Sequence, residues 1–164
     1  QDASGFQFRR IYLTYDYNIS KDFFTRFRLE GGRDEVFQNG KIGVFIKDAY
    51  IEWKEVFKGS SLIFGIQPTT AYALSEKIWE HRHIEKTIMD LRGIIDSRDF
   101  GLSLKGSFDK DEKYSYSVMA GNNSGVKVEN DKYKRVNANL TFRPVNSFYI
   151  SAFSDLRTAE SKKK

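Results

Sequence analysis

The chain has 164 residues, no Cys and two Pro, and its 27 Lys and Arg stand against 22 Asp and Glu for a formal charge of +5. Disulfides, thiolate metal sites and Cys nucleophiles are excluded together, and no apolar run approaches the roughly 20 residues of a membrane-spanning helix. With 14 Phe, 9 Tyr and 2 Trp in an otherwise polar chain, a soluble domain would have many rings to hide.

The charge excess is a weak pointer to any polyanion, because three of the cations are Lys162, Lys163 and Lys164 at the end of a short charged stretch. Residues 158–164 are expected to be a solvated, disordered tail, leaving residues 1–157 as the folded domain, with no nucleic-acid partner. A basic start followed by an apolar stretch does not open the chain, so a secretory leader has either been removed or precedes an internal segment.

The pattern has period two from the start. Over residues 10–19 the set Ile11, Leu13, Tyr15, Tyr17, Ile19 alternates with Arg10, Tyr12, Thr14, Asp16, Asn18, which describes a strand with two chemically different faces. Residues 23–30 repeat it, with Phe23, Thr25, Phe27 and Leu29 against Phe24, Arg26, Arg28 and Glu30. Further strands are predicted over residues 42–53, 61–67, 99–108, 114–121, 133–143 and 148–154, eight in all. Their connections alternate: 18–22, 54–60, 109–113 and 144–147 are short, while 34–41, 68–98 and 122–132 are longer.

Short turns on one side and long loops on the other are the habit of transmembrane β-barrels, whose tilted strands need about 9–11 residues to cross. Rings gather near the short turns, at Tyr15, Tyr17, Phe23, Trp53, Phe108, Tyr114, Phe142 and Phe148, as an aromatic girdle requires. The competing reading is a soluble antiparallel β-protein, a sandwich or lipocalin-like barrel that binds a ligand, whose apolar face is its core.

The third connection breaks the two-residue rhythm. Leu74, Ile78, Ile84, Ile88 and Leu91 fall near helical spacing, so a short amphipathic helix is predicted there, and a loop of this length is usually functional. Folded into a pore it would narrow it, with Arg82, Lys86, Arg92 and Arg98 as the candidate constriction cations. Ion pairs that anchor the loop are an equal reading for any one of them. His81 and His83 do not share a helix face and have no acidic or Cys complement, so no metal or other cofactor is expected. An enzyme is not expected either, since these two His residues are the only ones and no nucleophile motif accompanies them.

Several segments resemble the phosphate-selective porin O and P family: Phe8-Arg9-Arg10-Ile11-Tyr12-Leu13, Lys47-Asp48-Ala49-Tyr50-Ile51-Glu52 and Phe64-Gly65-Ile66-Gln67-Pro68 in the first half. Ile84-Glu85-Lys86-Thr87 with Asp90-Leu91, and Ser97-Arg98-Asp99-Phe100-Gly101-Leu102, follow in order. The resemblance spans roughly residues 6–155. It implies a channel for small anions or other hydrophilic solutes in a Gram-negative outer membrane, embedded in lipid and often trimeric. No phosphate-binding arginine set can be carried over residue by residue.

Eight strands would close into a barrel just filled by side chains, yet the polar face presents Arg10, Arg26, Arg28, Lys105 and Arg135 together with Tyr12 and Tyr50 and the helical loop. Strand direction would also place both ends of the chain on the long-loop side. The expected architecture is therefore all-β, an antiparallel transmembrane arc of about eight strands from a porin barrel of about 16. The five cations just named are the expected pore-lining set. By strand parity Arg143 joins them, and Asp16, Glu30, Asp48, Glu52, Asp99 and Asp155 share their face, which leaves the wall balanced.

Overall fold

A computed structural model describes residues 5–6, 10–36, 39–79 and 88–158. Eight strands form one antiparallel sheet in sequence order: β1 (Arg10–Asn18), β2 (Phe23–Val36), β3 (Ile42–Lys54), β4 (Ser60–Pro68), β5 (Arg98–Ser107), β6 (Tyr114–Gly121), β7 (Arg135–Val145) and β8 (Phe148–Arg157). The sheet is open. Among the described residues β1 pairs only with β2 and β8 only with β7. No described helix is long and apolar enough to cross a membrane, and the two that occur, α1 (Ala73–Trp79) and α2 (Ile88–Leu91), lie in the third connection.

The predicted strands agree with these to within a few residues, because alternating β-branched, aromatic and polar residues satisfy both the pleat and the strand's two surroundings. One connection differs. The segment read as a loop over residues 34–41 contributes its start to β2, which runs on to Val36 with a shift of register between Gly31 and Val36.

Tight turns have local causes. At the first, the Ser20 hydroxyl accepts the backbone N–H groups of Asp22 and Phe23, a side-chain substitute for a backbone turn. Between β5 and β6 the Asp109 carboxylate accepts the N–H groups of Tyr114 and Lys113, and these bonds hold it below the usual carboxylate range.

A β-bulge governs the middle of β3. Arg28 stands opposite Asp48 and Leu29 opposite Ile46, so Lys47 is the extra residue. Ile42, Val44 and Ile46 face one side before it, and Ile51 and Trp53 face that same side after it, although their parity is opposite. Lys47 and Asp48, adjacent in sequence, both come to lie against the polar face.

The distribution of exposure is the reverse of a soluble domain's. On the apolar face Leu13 is 68% exposed, Val44 56%, Leu140 57% and Ile150 53%, while Asp48 and Gln67 on the other face are 1% exposed and Asn137 2%. Among the described residues the buried hydrophobics are Ile63, Ala71, Tyr72, Ile95 and Met119, all on the polar-face side. So small a set cannot offset the conformational entropy of ordering a domain of this size.

Candidate functional site: the polar face and the loop laid across it

The polar face of β1–β3 is a ladder of charges. Strand register places Asp16 opposite Arg26, Thr14 opposite Arg28 opposite Asp48, and Tyr12 opposite Glu30. Arg26 grips Asp16 through two bonds of 2.7 Å from Nε and Nη2, the planar fork that matches a carboxylate. Arg28 Nη1 lies 3.2 Å from Asp48, which Arg98 Nε also reaches at 2.5 Å. Arg10 Nε is 3.2 Å from Glu30, whose other oxygen takes Lys47 Nζ and which also accepts the Tyr12 hydroxyl.

Two buried carboxylates thus serve four cations. Glu30 holds Arg10 and Lys47, and Asp48 holds Arg28 and Arg98. A cavity of about 210 Å3 opens beside it, where Arg10, Lys47, Arg98 and Lys127 meet Glu30, Asp90 and Asp96.

The face of β4–β7 is different in kind. Its inward residues are mostly Ser, Thr, Asn, Gln and Gly, and they bond to one another and to backbone. Gln67 donates to the carbonyls of Ile63 and Gly101 and accepts the Ser103 hydroxyl. Lys105, near the short-turn end of β5, sits 3.3 Å from Glu52. At the long-loop edge Arg135 grips Asp155 at 2.7 and 2.6 Å and reaches the Asn123 side chain and the Ile94 carbonyl.

The third connection lies on this face. Thr70 donates to the Asn137 carboxamide of β7 at 2.7 Å, Thr69 donates to the Asp96 carbonyl, and Tyr72 donates to the Ile95 carbonyl. Ala71, Tyr72 and Ile95 form a small apolar knot on which Phe153 of β8 packs. Burial, with the nearby Asp90 carboxylate as the second cause, pushes the Tyr72 phenol up to about 12.

A second latch ties the fourth connection to the same place. The Asp99 carboxylate accepts the N–H groups of Phe100, Asn123 and Ser124, and it lies over Gly121, where a Cβ would meet its Oδ2 at 2.2 Å. Gly125, with φ of +64°, is likewise set against the Asp96 carboxylate at 2.9 Å; a side chain there would face both strain and collision.

Of the residues singled out from sequence, Arg10, Arg26, Arg28, Lys105 and Arg135 all lie on the polar face, and each has a carboxylate partner. Arg98 is buried against Asp48 as an anchor of the loop's end. Arg92 is exposed just beyond α2. Arg82 and Lys86, with His81 and His83, lie outside the described residues. Among the described residues no group of three His, Cys, Asp or Glu is arranged to hold a metal.

Lys47 is the cation of the cluster that parity read back from Asp48, Tyr50 and Glu52 overlooks, because that phase puts it on the apolar side. The switch of apolar residues from even positions (Ile42, Val44, Ile46) to odd ones (Ile51, Trp53) is the signal that reveals it. No protein-family model, curated protein or solved structure matches the chain.

Proposed function

We propose that the chain is part of the wall of an outer-membrane porin, a water-filled passage for the diffusion of small anions such as phosphate and of other hydrophilic solutes. The observation that carries this reading is the inverted burial: an uncovered apolar face across the strands, backed by a face of buried and paired charges. Water-soluble monomers rarely leave more than a few hundred Å2 of contiguous apolar surface open. Lipid against that face recovers about 1.5–3 kcal/mol for each large side chain fully covered.

The girdle supports the same orientation. Outward rings cluster at the short-turn edge, where Phe23 stacks on Trp53, Tyr114 stacks on Phe142 and Tyr15 lies over Tyr17; amphipathic rings favour a membrane interface. In this reading the unpaired edges of β1 and β8 continue into further strands of a barrel of about 16, wide enough for an aqueous channel. Assembly as a trimer follows from the resemblance to phosphate-selective porins.

Anion preference rests on the gathering of Arg10, Arg28, Lys47, Arg98 and Lys127, which among the described residues outnumber Glu30, Asp48, Asp90 and Asp96 there by one. Passage of this kind requires no catalytic group. The test is reconstitution into a planar bilayer under a salt gradient: ion-conducting channels with a reversal potential on the anion side are expected. A protein that stays monodisperse in buffer without detergent or lipid would sink the membrane reading, and cation selectivity would defeat the anion assignment alone.

A further inference from the structure

The polar face holds a second cavity, of about 410 Å3, between the third connection and the short-turn half of β4–β8. Its volume is that of a small-molecule site. The lining from the sheet is Ser61, Ser117, Asn139, Thr141 and Tyr149, and Leu74 of α1 covers it.

The geometry points to a binding site for an uncharged polyhydroxylated solute, a mono- or disaccharide, on the path through the pore. This deepens the porin reading and rests on it for the solute's route of arrival.

Charge comes first. The cavity's two cations are already engaged: Lys105 with the Glu52 carboxylate and Arg143 with the Asp111 carbonyl, and Glu112 adds a carboxylate to the lining. An anion would find no surplus of positive charge here, unlike at Glu30 and Asp48.

Hydrogen-bond chemistry agrees. An anion asks only for donors, whereas a sugar hydroxyl both donates and accepts, as do the Ser, Thr and Asn groups that dominate this lining. Ser61 and Ser117 spend no side-chain hydrogen bond on another described residue. Asn139 receives the Thr141 and Ser151 hydroxyls on its oxygen, which leaves its amide NH2 to donate. Leu74 and the Tyr149 ring offer apolar surface for the C–H faces of a pyranose.

Binding weak enough to release is what a diffusion pathway requires, so affinity in the millimolar range is expected. Saturation-transfer NMR on the detergent-solubilised protein with sucrose as probe reads binding independently of conduction. Saturable transfer is expected, unchanged by an equal concentration of phosphate. The double variant Ser117→Ala with Thr141→Val, which removes two hydroxyls without adding bulk, should weaken it about tenfold, in line with the loss of two ordinary hydrogen bonds.

Absence of saturable transfer to the unaltered protein overturns the site, as does displacement by phosphate or undiminished affinity in the double variant. Bilayer recordings on the same preparation separate the two readings. Channels without sucrose binding leave the pore and remove the site; sucrose binding without channels leaves the site and removes the pore.

Discussion

The polar face has two halves that solve the same problem differently. Across β1–β3, charge meets charge: Asp16 with Arg26, and Glu30 and Asp48 each with two cations. Across the middle of β4–β7 the bonds carry no net charge: Ser103 donates to Gln67, Thr70 to Asn137 and Thr141 to Asn139. The first half stores an electrostatic field and the second stores hydrogen-bonding capacity. The third connection leans on the neutral half, and at its end Arg98 reaches the charged half at Asp48. In the proposed pore, a wall so divided would present an anion and a neutral solute with separate surfaces.

Removing the shared carboxylate attacks the charged half most directly. Asp48→Ala leaves Arg28 and Arg98 without their acid at a site 1% exposed, and loss of one partner of a buried pair costs about 3–5 kcal/mol. The expected result is a large drop in the urea midpoint of the lipid-reconstituted protein. In whatever fraction still conducts, the reversal potential should move further toward anions.

The neutral half should respond less. Asn137→Ala strips Thr70 of its acceptor in a buried position, at a cost of about 1–3 kcal/mol. The connection should then be cut faster by protease within residues 69–97 while the strands stay protected. Unchanged cleavage would show that the loop is held elsewhere.

Tyr72→Phe is milder, since the ring keeps its packing and only the donor to the Ile95 carbonyl is lost; about 1 kcal/mol is expected in the same urea assay. The phenol also sets a pH limit. Its value in the folded chain is about 12 against an ordinary 10.0, so its share of stability is full below pH 10 and is lost as pH rises through 12. Ultraviolet titration of tyrosinate should show one late phenol, absent from the Phe variant.

The smallest effect belongs to Arg26→Gln. Arg26 and Asp16 are 28% and 41% exposed at their side chains, and pairs in contact with water contribute about 0–1 kcal/mol. Stability should barely move, while the loss of one cation shifts the reversal potential toward cations. A larger loss of stability than that of Asp48→Ala would invert the comparison between the open and buried pairs.

Most of the sheet was legible because a strand between two unlike surroundings must alternate, and Ile11 to Asn18 or Tyr114 to Gly121 do so without interruption. Partners were harder to read, since parity assigns a face but not a neighbour. That Asp16 meets Arg26 depends on a turn of four residues, 19–22, which the hydroxyl of Ser20 shapes. The bulge at Lys47 escaped because one extra residue inverts every later position, so a reading that assumes constant phase misplaces the residues on one side of it.

The docking of the third connection was legible only as an expectation of length. Thr70 and Asn137 are 67 residues apart and neither type marks the other in sequence. The helical spacing of Leu74, Ile78, Ile84, Ile88 and Leu91 points to helix, and among the described residues Ala73–Trp79 and Ile88–Leu91 are helical.

The edges of β1 and β8 carry a practical consequence. Among the described residues each presents a row of backbone N–H and C=O groups without a strand beside it, next to a face of uncovered Ile, Leu, Tyr and Phe. In water such an edge is a template on which a second copy adds strand by strand, the route to cross-β aggregates. In the proposed barrel the strands added beyond β1 and β8 would cover both rows at once, so the assembled wall would lose the hazard that the isolated sheet carries.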